Sequence, residues 1–138
     1  MGQPQSHSRF GDSPHAVVLC VDDHELGLKT RKLLLQMEGY AVITALTATE
    51  GLRAFKQAEV DLVITDYYLP DQLGSALAEK MKSLRPGVPI LLLSGSVEMP
   101  EGLGGADAFL SKATDPADFL ALVGDMLRKK KVADYVLS

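Results

Sequence analysis

The chain has 138 residues, of which 46% are apolar and 23% are charged, with a formal net charge of −4. This length and composition fit one globular domain with its own core. The single cysteine, Cys20, excludes an intramolecular disulfide and a cysteine-rich zinc site, and its apolar neighbours favour a core residue over a nucleophile. The charge disfavours nucleic-acid binding, and the sequence contains neither a membrane-spanning stretch nor a secretory signal, so we expect a cytoplasmic protein.

The N-terminal part of the chain begins with a polar segment and continues with a strand-like and then a helix-like pattern. We expect residues 1–14 to form a flexible tail and residues 15–131 to form the domain that follows it. Ala16–Val21 is a short, continuous apolar run, which is typical of a strand buried on both faces. A helical pattern over Leu26–Met37 follows, and Gly39 is its predicted terminator.

The rest of the chain repeats this alternation. Four more apolar runs predict strands, at Tyr40–Ala45, Leu62–Thr65, Pro89–Leu93 and Ala108–Leu110. Helical patterns follow the first, second and fourth of these runs, over Thr47–Lys56, Ser75–Leu84 and 116–131. Thr47 is the predicted cap of its helix, with Glu50 completing a capping box. Asp115 or Thr114 caps the last helix, after which residues 132–138 form a C-terminal tail.

Alternating strands and helices predict a doubly wound α/β fold, in which helices cover both faces of a parallel sheet. Ligands of such sheets bind outside the carboxyl ends of the strands. The candidate site residues are therefore those that follow each strand, namely Asp22 and Asp23 after the first, Asp66 after the third, Ser94 after the fourth and Lys112 after the fifth.

These residue types fit phosphoryl chemistry. Three neighbouring carboxylates raise one another's pKa unless a divalent cation neutralises them, and Mg²⁺ favours such oxygen ligands. Lys112 is a point charge suited to a phosphoryl oxygen, and Ser94 can donate a hydrogen bond to another. Asp66 is then placed to form an acyl phosphate.

Each residue also has a plainer interpretation when it is taken alone. Acidic pairs after strands are often loop residues or caps, a lone serine is often a turn residue, and a lone lysine usually faces solvent. Similarly, Arg128–Lys131 is expected to complement the dipole of the last helix instead of binding nucleic acid. His24 is expected in the first turn of a helix, not as a base or ligand. The specific signal is that five such residues follow successive strands.

The chain resembles the receiver domain of two-component response regulators over about Ala16–Lys130. The motifs that carry the resemblance are Val18–Asp23, Asp61–Pro70, Leu92–Gly95 and Gly105–Lys112, with Pro70 and Gly74 in the loop after Asp66. The resemblance implies a flavodoxin-like (βα)5 fold with five parallel strands in the order 2-1-3-4-5.

The resemblance also implies a role for each matching acidic or basic residue. Asp66 is the expected phosphoryl acceptor, and Lys112 is expected to contact the phosphoryl group. Asp23 is the expected direct ligand of Mg²⁺, together with Asp66. Asp22 supports the ion through water, and Tyr68 contributes its backbone carbonyl.

Four further roles follow from the resemblance. Ser94 and Phe109 are the expected switch residues, which respond to the phosphoryl group. The side chains of Tyr68 and Ser96 are expected to flank that group and to tune its hydrolysis. The plainer alternatives are that Phe109 is a core aromatic and that Tyr68 points into solvent.

Three features depart from the family pattern. Ala113 follows Lys112 where a proline in a cis bond is usual; a cis bond before alanine costs about 3 kcal/mol, so Lys112 is expected to be held less rigidly. Leu73 replaces the usual polar residue before Gly74.

Ser94 and Lys112 are only 18 positions apart, about one helical turn fewer than usual, and the intervening segment carries Pro100 and four glycines. The helix between the fourth and fifth strands is therefore expected to be short, displaced or absent, which puts the usual output and dimerisation mode in doubt.

The leading hypothesis is a phosphoacceptor switch. A sensor histidine kinase or a histidine phosphotransfer protein would phosphorylate Asp66 with Mg²⁺ bound, and the change would alter binding to an output protein or a fused effector domain. A homodimer is possible, and the only chemistry expected is the chain's own phosphorylation and dephosphorylation, so it is not an enzyme in the usual sense.

Two alternatives remain open from the sequence. One is a Mg²⁺-dependent phosphohydrolase, although Asp22 and Asp23 are adjacent where such enzymes commonly have Asp-x-Asp. The other is a pseudo-receiver that binds partners without phosphorylation, which Ala113 and the shortened segment favour. A dinucleotide or flavin module is disfavoured because no glycine-rich loop follows the first strand.

Overall fold

Five parallel strands form one sheet in the computed structural model, which describes residues 16–95 and 102–137. The strands are β1 Val17–Val21, β2 Ala41–Ala45, β3 Leu62–Asp66, β4 Ile90–Ser94 and β5 Ala108–Ser111. Their order in the sheet is β2-β1-β3-β4-β5, and every neighbouring pair is parallel. The predicted doubly wound fold and strand order are therefore confirmed.

Helices connect the strands and cover the two faces of the sheet. They are α1 Glu25–Met37, α2 Ala48–Gln57, α3 Gly74–Leu84 and α4 Pro116–Leu137. Gly39 has a φ of 95° directly after α1, a conformation that glycine adopts without steric cost, so it ends this helix as predicted.

Two apolar clusters, one on each face of the sheet, make up the core. Leu19 and Val63 pack with α2 and α3 on one face, whereas Val18, Cys20 and Leu62 pack with α1 and α4 on the other. Successive strand residues point to opposite faces, so a strand buried on both faces must be apolar throughout. Burial raises the pKa of Cys20 to about 12, which fits the predicted core residue and not a nucleophile.

Two helices begin at caps that the sequence indicates. Thr47 Oγ1 accepts a hydrogen bond from the backbone N–H of Glu50 at 3.1 Å. A carboxylate oxygen of Glu50 accepts a hydrogen bond from the backbone N–H of Leu46 at 3.2 Å. In an ideal capping box the donor is the backbone N–H of the cap residue itself, one position later. At α4, Asp115 Oδ2 accepts from Ala117 N at 3.0 Å, which selects Asp115 over the alternative cap.

The last helix is longer than the sequence analysis predicted. Its predicted end was Lys131, but α4 continues to Leu137, so most of the predicted C-terminal tail is helical. The added residues contain neither glycine nor proline, which would end the helix. Lys130 Nζ also pairs with Asp134 Oδ2 at 2.7 Å, an i,i+4 ion pair that supports the extra turn.

The connection between β4 and β5 contains no helix in its described part, residue 95 and residues 102–107. The helix predicted here is short, displaced or absent, and residues 96–101, and with them Ser96, lie outside the described residues, as does the predicted tail 1–14. Gly104 and Gly105 pack against α3: a Cβ on them would lie 2.3 Å from Ser75 O and 2.7 Å from Ala78 O, respectively. Only glycine permits so close an approach.

Candidate functional site

The carboxyl ends of β1, β3 and β5 bring three charged side chains into contact. Lys112 Nζ lies 3.0 Å from Asp22 Oδ2 and 3.2 Å from Asp66 Oδ2. These groups open onto a cleft of about 580 Å³ that Asp23 and Tyr68 also line. Four of the five residues predicted at successive strand ends, Asp22, Asp23, Asp66 and Lys112, therefore lie around one cleft.

The carboxylate of Asp22 is buried, and its two oxygens have different partners. Oδ1 accepts a hydrogen bond from the backbone N–H of His24 at 2.9 Å, whereas Oδ2 pairs with Lys112 and with Arg31. Burial raises the pKa of Asp22, but the hydrogen bonds from His24 and Lys112 and the charges of Lys112 and Arg31 outweigh it. The pKa of Asp22 is therefore below its usual value, and the group stays ionised.

The carboxylate of Asp66 has the opposite balance. Burial raises the pKa of Asp66 above its usual value, and the negative charge of Asp22 adds to this shift. The charge and hydrogen bond of Lys112, and a hydrogen bond from the backbone N–H of Tyr68, lower the pKa but do not outweigh the burial. A cation beside Asp66 would favour its ionised form and oppose this upward shift of its pKa.

The ring of His24 extends into the same cluster. Its Nδ1 lies 3.2 Å from Asp22 Oδ1, 3.3 Å from Asp23 Oδ1 and 3.9 Å from Asp66 Oδ2. His24 was predicted in the first turn of the helix, but it is the N-cap of α1, directly before that turn, and its side chain makes no capping hydrogen bond.

A glycine makes the loop after Asp66 possible. A Cβ on Gly74 would lie 2.1 Å from the carbonyl oxygen of Asp66, and Gly74 N donates to Tyr67 O at 2.6 Å. Leu73, the N-cap of α3, makes no side-chain capping hydrogen bond, as its apolar side chain predicts. Gly74 therefore lets the loop close against the backbone of Asp66 and Tyr67.

The family model for the response regulator receiver domain matches residues 18–124. The chain belongs to this family. The receiver domain is 33% identical over 122 residues to the transcriptional regulatory protein GlrR of Escherichia coli, which covers 86% of this chain and 28% of GlrR. The curated relatives it matches are longer, and the chain spans between 28% and 51% of their length.

Solved structures agree with this assignment. A CheY-like receiver domain from Methanospirillum hungatei superposes with a TM-score of 0.81 at 33% identity, covering 86% of this chain and 98% of that one. A receiver domain from Clostridium thermocellum gives a TM-score of 0.79 at 29% identity, with the same two coverages. In the described part of the chain, no helix is long and apolar enough to cross a membrane.

The donor set of the receiver domain fits a divalent cation. One ligand atom each from Asp22, Asp23, His24 and Asp66 can be chosen so that all four lie within 4.8 Å of one another. Carboxylate oxygens are the ligands that Mg²⁺ prefers, and receiver domains generally bind Mg²⁺ at an acidic pocket.

Of the remaining predicted residues that the structure describes, Tyr68 lines this pocket, whereas Ser94 and Phe109 lie on β4 and β5. Ser94 is buried at the end of β4, and its carbonyl accepts from Lys112 N at 2.7 Å. Phe109 is half-buried on β5, on the face opposite Ala108 and Leu110, which pack into the core beneath α1 and α4. Tyr68 lines the cleft with a side chain that is 65% exposed. The roles of these residues as switch or hydrolysis-tuning groups stay predictions.

Asp71 is a residue that the sequence analysis missed. From the loop after β3, its carboxylate accepts hydrogen bonds from Ala48 N and Thr49 N, both at 2.9 Å, and from Thr49 Oγ1 at 2.8 Å. Slight burial raises the pKa of Asp71, but these hydrogen bonds together outweigh it and lower the pKa to about 2. Asp71 thereby joins the loop that follows Asp66 to the N-terminus of α2, a contact between segments that no local pattern reveals.

Proposed function

We propose that this receiver domain is a phosphoacceptor switch that takes a phosphoryl group onto Asp66 from the phosphohistidine of a sensor histidine kinase or a histidine phosphotransfer protein. The observation that carries the proposal is the contact of Asp66 with Lys112 at 3.2 Å, beside two further carboxylates in an open cleft. A nucleophile, a cation for the phosphoryl oxygens and a place for a divalent ion therefore coincide.

Mg²⁺ would be held by Asp23, Asp66 and the backbone carbonyl of Tyr68, with Asp22 acting through water. When bound, the ion neutralises the charge of the carboxylates and of the incoming phosphoryl group, which otherwise repel one another. Asp22 is suited to an indirect role because its Oδ2 already pairs with Arg31 and Lys112.

The transfer itself needs few groups. A carboxylate oxygen of Asp66 forms a bond to phosphorus while the bond from phosphorus to the donor's imidazole nitrogen breaks, and that nitrogen keeps the electron pair. Lys112 already lies against Asp66, so its ammonium group can move onto a phosphoryl oxygen with little displacement.

Lys112 also connects the site to the edge of the sheet. Its backbone N–H donates to Ser94 O at 2.7 Å, and it directly follows β5, which carries Phe109. A change in the side-chain contacts of Lys112 would therefore act on the ends of β4 and β5 together. We propose that this shift alters the affinity for an output protein or a fused effector domain.

Intact mass spectrometry after incubation with acetyl phosphate and Mg²⁺ tests the proposal. One phosphoryl adduct is expected, dependent on Mg²⁺ and absent from Asp66→Asn. Asp125→Asn is the matched control, because Asp125 lies on α4 and pairs with Lys129 at 3.2 Å, away from the cleft. Undiminished labelling of Asp66→Asn would contradict the assignment.

The same sample separates the two alternatives. Turnover of small phosphate esters without a stable adduct would favour a phosphohydrolase. No adduct together with no binding of a divalent cation would favour a protein-interaction module that works without phosphorylation.

A further inference from the structure

The backbone of His24 holds this residue beside the acidic cluster. Its N–H donates to Asp22 Oδ1 at 2.9 Å, and its φ of −89° and ψ of 97° place it just before the first turn of α1. The ring nitrogen Nδ1 approaches the same oxygen at 3.2 Å. Because Arg31 and Lys112 both contact the other oxygen of Asp22, His24 lies on the side that these cations leave open.

The distances around Nδ1 match those between ligands of one metal ion. Two ligands at right angles on bonds of about 2.1 Å lie about 3.0 Å apart. Nδ1 is 3.3 Å from Asp23 Oδ1 and 3.9 Å from Asp66 Oδ2, the two carboxylates proposed as direct ligands, and both separations are within reach of a shared ion. Only small side-chain shifts would bring the nitrogen and the carboxylates around one cation.

An imidazole ligand changes which cation such a site prefers. Mg²⁺ favours oxygen ligands, whereas first-row transition cations bind imidazole well, with affinity rising from Mn²⁺ through Co²⁺. We propose that His24 is a nitrogen ligand of the cation in this receiver domain and that it makes the site favour transition cations, Mn²⁺ and Co²⁺ in particular, over Mg²⁺. This inference rests on the proposed function for the cation site and goes beyond it in the identity of the ion.

The competing explanation is that His24 only forms a hydrogen bond or ion pair with the neighbouring carboxylates. In that case a cation that binds those carboxylates displaces the ring, and removing the ring affects all divalent cations alike. A nitrogen ligand instead predicts a loss that is confined to the cations with affinity for nitrogen. The two explanations therefore differ in the ranking of cations and not merely in overall affinity.

Calorimetric titration of the full chain with Mg²⁺, Mn²⁺ and Co²⁺ tests the proposal. His24→Ala is expected to lower the affinity for Co²⁺ and Mn²⁺ by about tenfold or more, and to leave that for Mg²⁺ within about twofold. Leu26→Ala is the matched control, since Leu26 is 79% exposed on the same turn of α1 and has no ligand atom. An equal loss for all three cations, or no loss, would overturn the proposal.

A second measurement needs no variant. Zn²⁺ bonded to Nδ1 is expected to move the ¹⁵N resonance of that nitrogen in His24, with the two other histidines of the chain, His7 and His15, as internal references. An unmoved resonance at saturating Zn²⁺ would also overturn the proposal. Labelling of Asp66 with Mg²⁺ is measured separately, so a normal adduct beside an unmoved resonance refutes the role of His24 and leaves the phosphoacceptor function standing. A chain that binds none of these cations refutes both.

Discussion

Arg31, two turns along α1, forms an ion pair with the buried carboxylate of Asp22 at the end of β1. Gly27, one turn earlier, borders this ion pair, and an added Cβ there would lie 3.6 Å from the guanidinium, an ordinary van der Waals contact. The Arg31 side chain is only 15% exposed. A helix that elsewhere packs on the core with leucines thus supplies a permanent cation to the acidic site.

Replacing Arg31 is expected to destabilise the protein because it removes one of two cations from a buried carboxylate. Asp22 keeps Lys112, so Arg31→Met should lower the free energy of unfolding by about 1–3 kcal/mol, less than the full loss of a buried pair. Urea denaturation at neutral pH measures this, with Arg53→Met, an exposed residue of α2, as the control. Equal stability of the wild type and Arg31→Met would mean that the pair contributes nothing.

Two glycines that both lie in helices should respond oppositely to alanine. At Gly74 the new methyl group would lie 2.1 Å from the carbonyl oxygen of Asp66, so the backbone must move, at a cost of about 2 kcal/mol or more. At Gly27 the methyl group meets only ordinary contacts, and better helix propensity should stabilise by up to about 1 kcal/mol. Thermal melts of both variants check the sign, and labelling of Gly74→Ala should also slow because Asp66 is displaced.

Removing the ammonium group of Lys112 should have opposite effects on cation binding and on phosphorylation. Lys112→Ala leaves Asp22 and Asp66 without their shared cation, so the affinity for Mg²⁺ should rise several-fold by Coulomb attraction. The same variant loses the contact to the phosphoryl group, so its labelling by acetyl phosphate should fall. Calorimetry and intact mass measure the two effects. Lys112→Arg keeps the charge and should therefore bind Mg²⁺ as weakly as the wild type. An unchanged Mg²⁺ affinity of Lys112→Ala would contradict the predicted competition between Lys112 and Mg²⁺ for the carboxylates.

Asp71 should stabilise the protein only while it is ionised. Its pKa is about 2 in the folded chain and about 3.9 when unfolded, so its contribution is complete above the unfolded value and disappears as the pH falls through about 2. Asp71→Ala should cost about 1 kcal/mol at neutral pH, as the loss of a helix cap does. Urea denaturation should show this deficit shrinking below about pH 4. Glu59→Ala, at an exposed position after α2, is the control that should show neither the deficit nor its pH dependence.

The sequence alone determined the fold and the residues of the acidic pocket. Each strand is a run of apolar residues because both of its faces are buried. Such a run can be recognised from consecutive residues alone. Because the carboxyl ends of parallel strands meet at one edge, the order of elements alone brings Asp22, Asp66 and Lys112 together. The strand order was implied by the family resemblance, and the observed sheet has this order.

Three further polar residues are brought to the site or to its flanking loop only by the packing of the elements. The sequence predicts helical positions for Arg31 and His24 and a loop position for Asp71, and the contacts of all three arise from where their side chains extend. Asp71 contacts residues 22 and 23 positions away, and no local pattern specifies such a partner. A pattern of apolar residues encodes which face of an element is buried; the contacts of a polar side chain depend on the packing of elements that are distant in the chain.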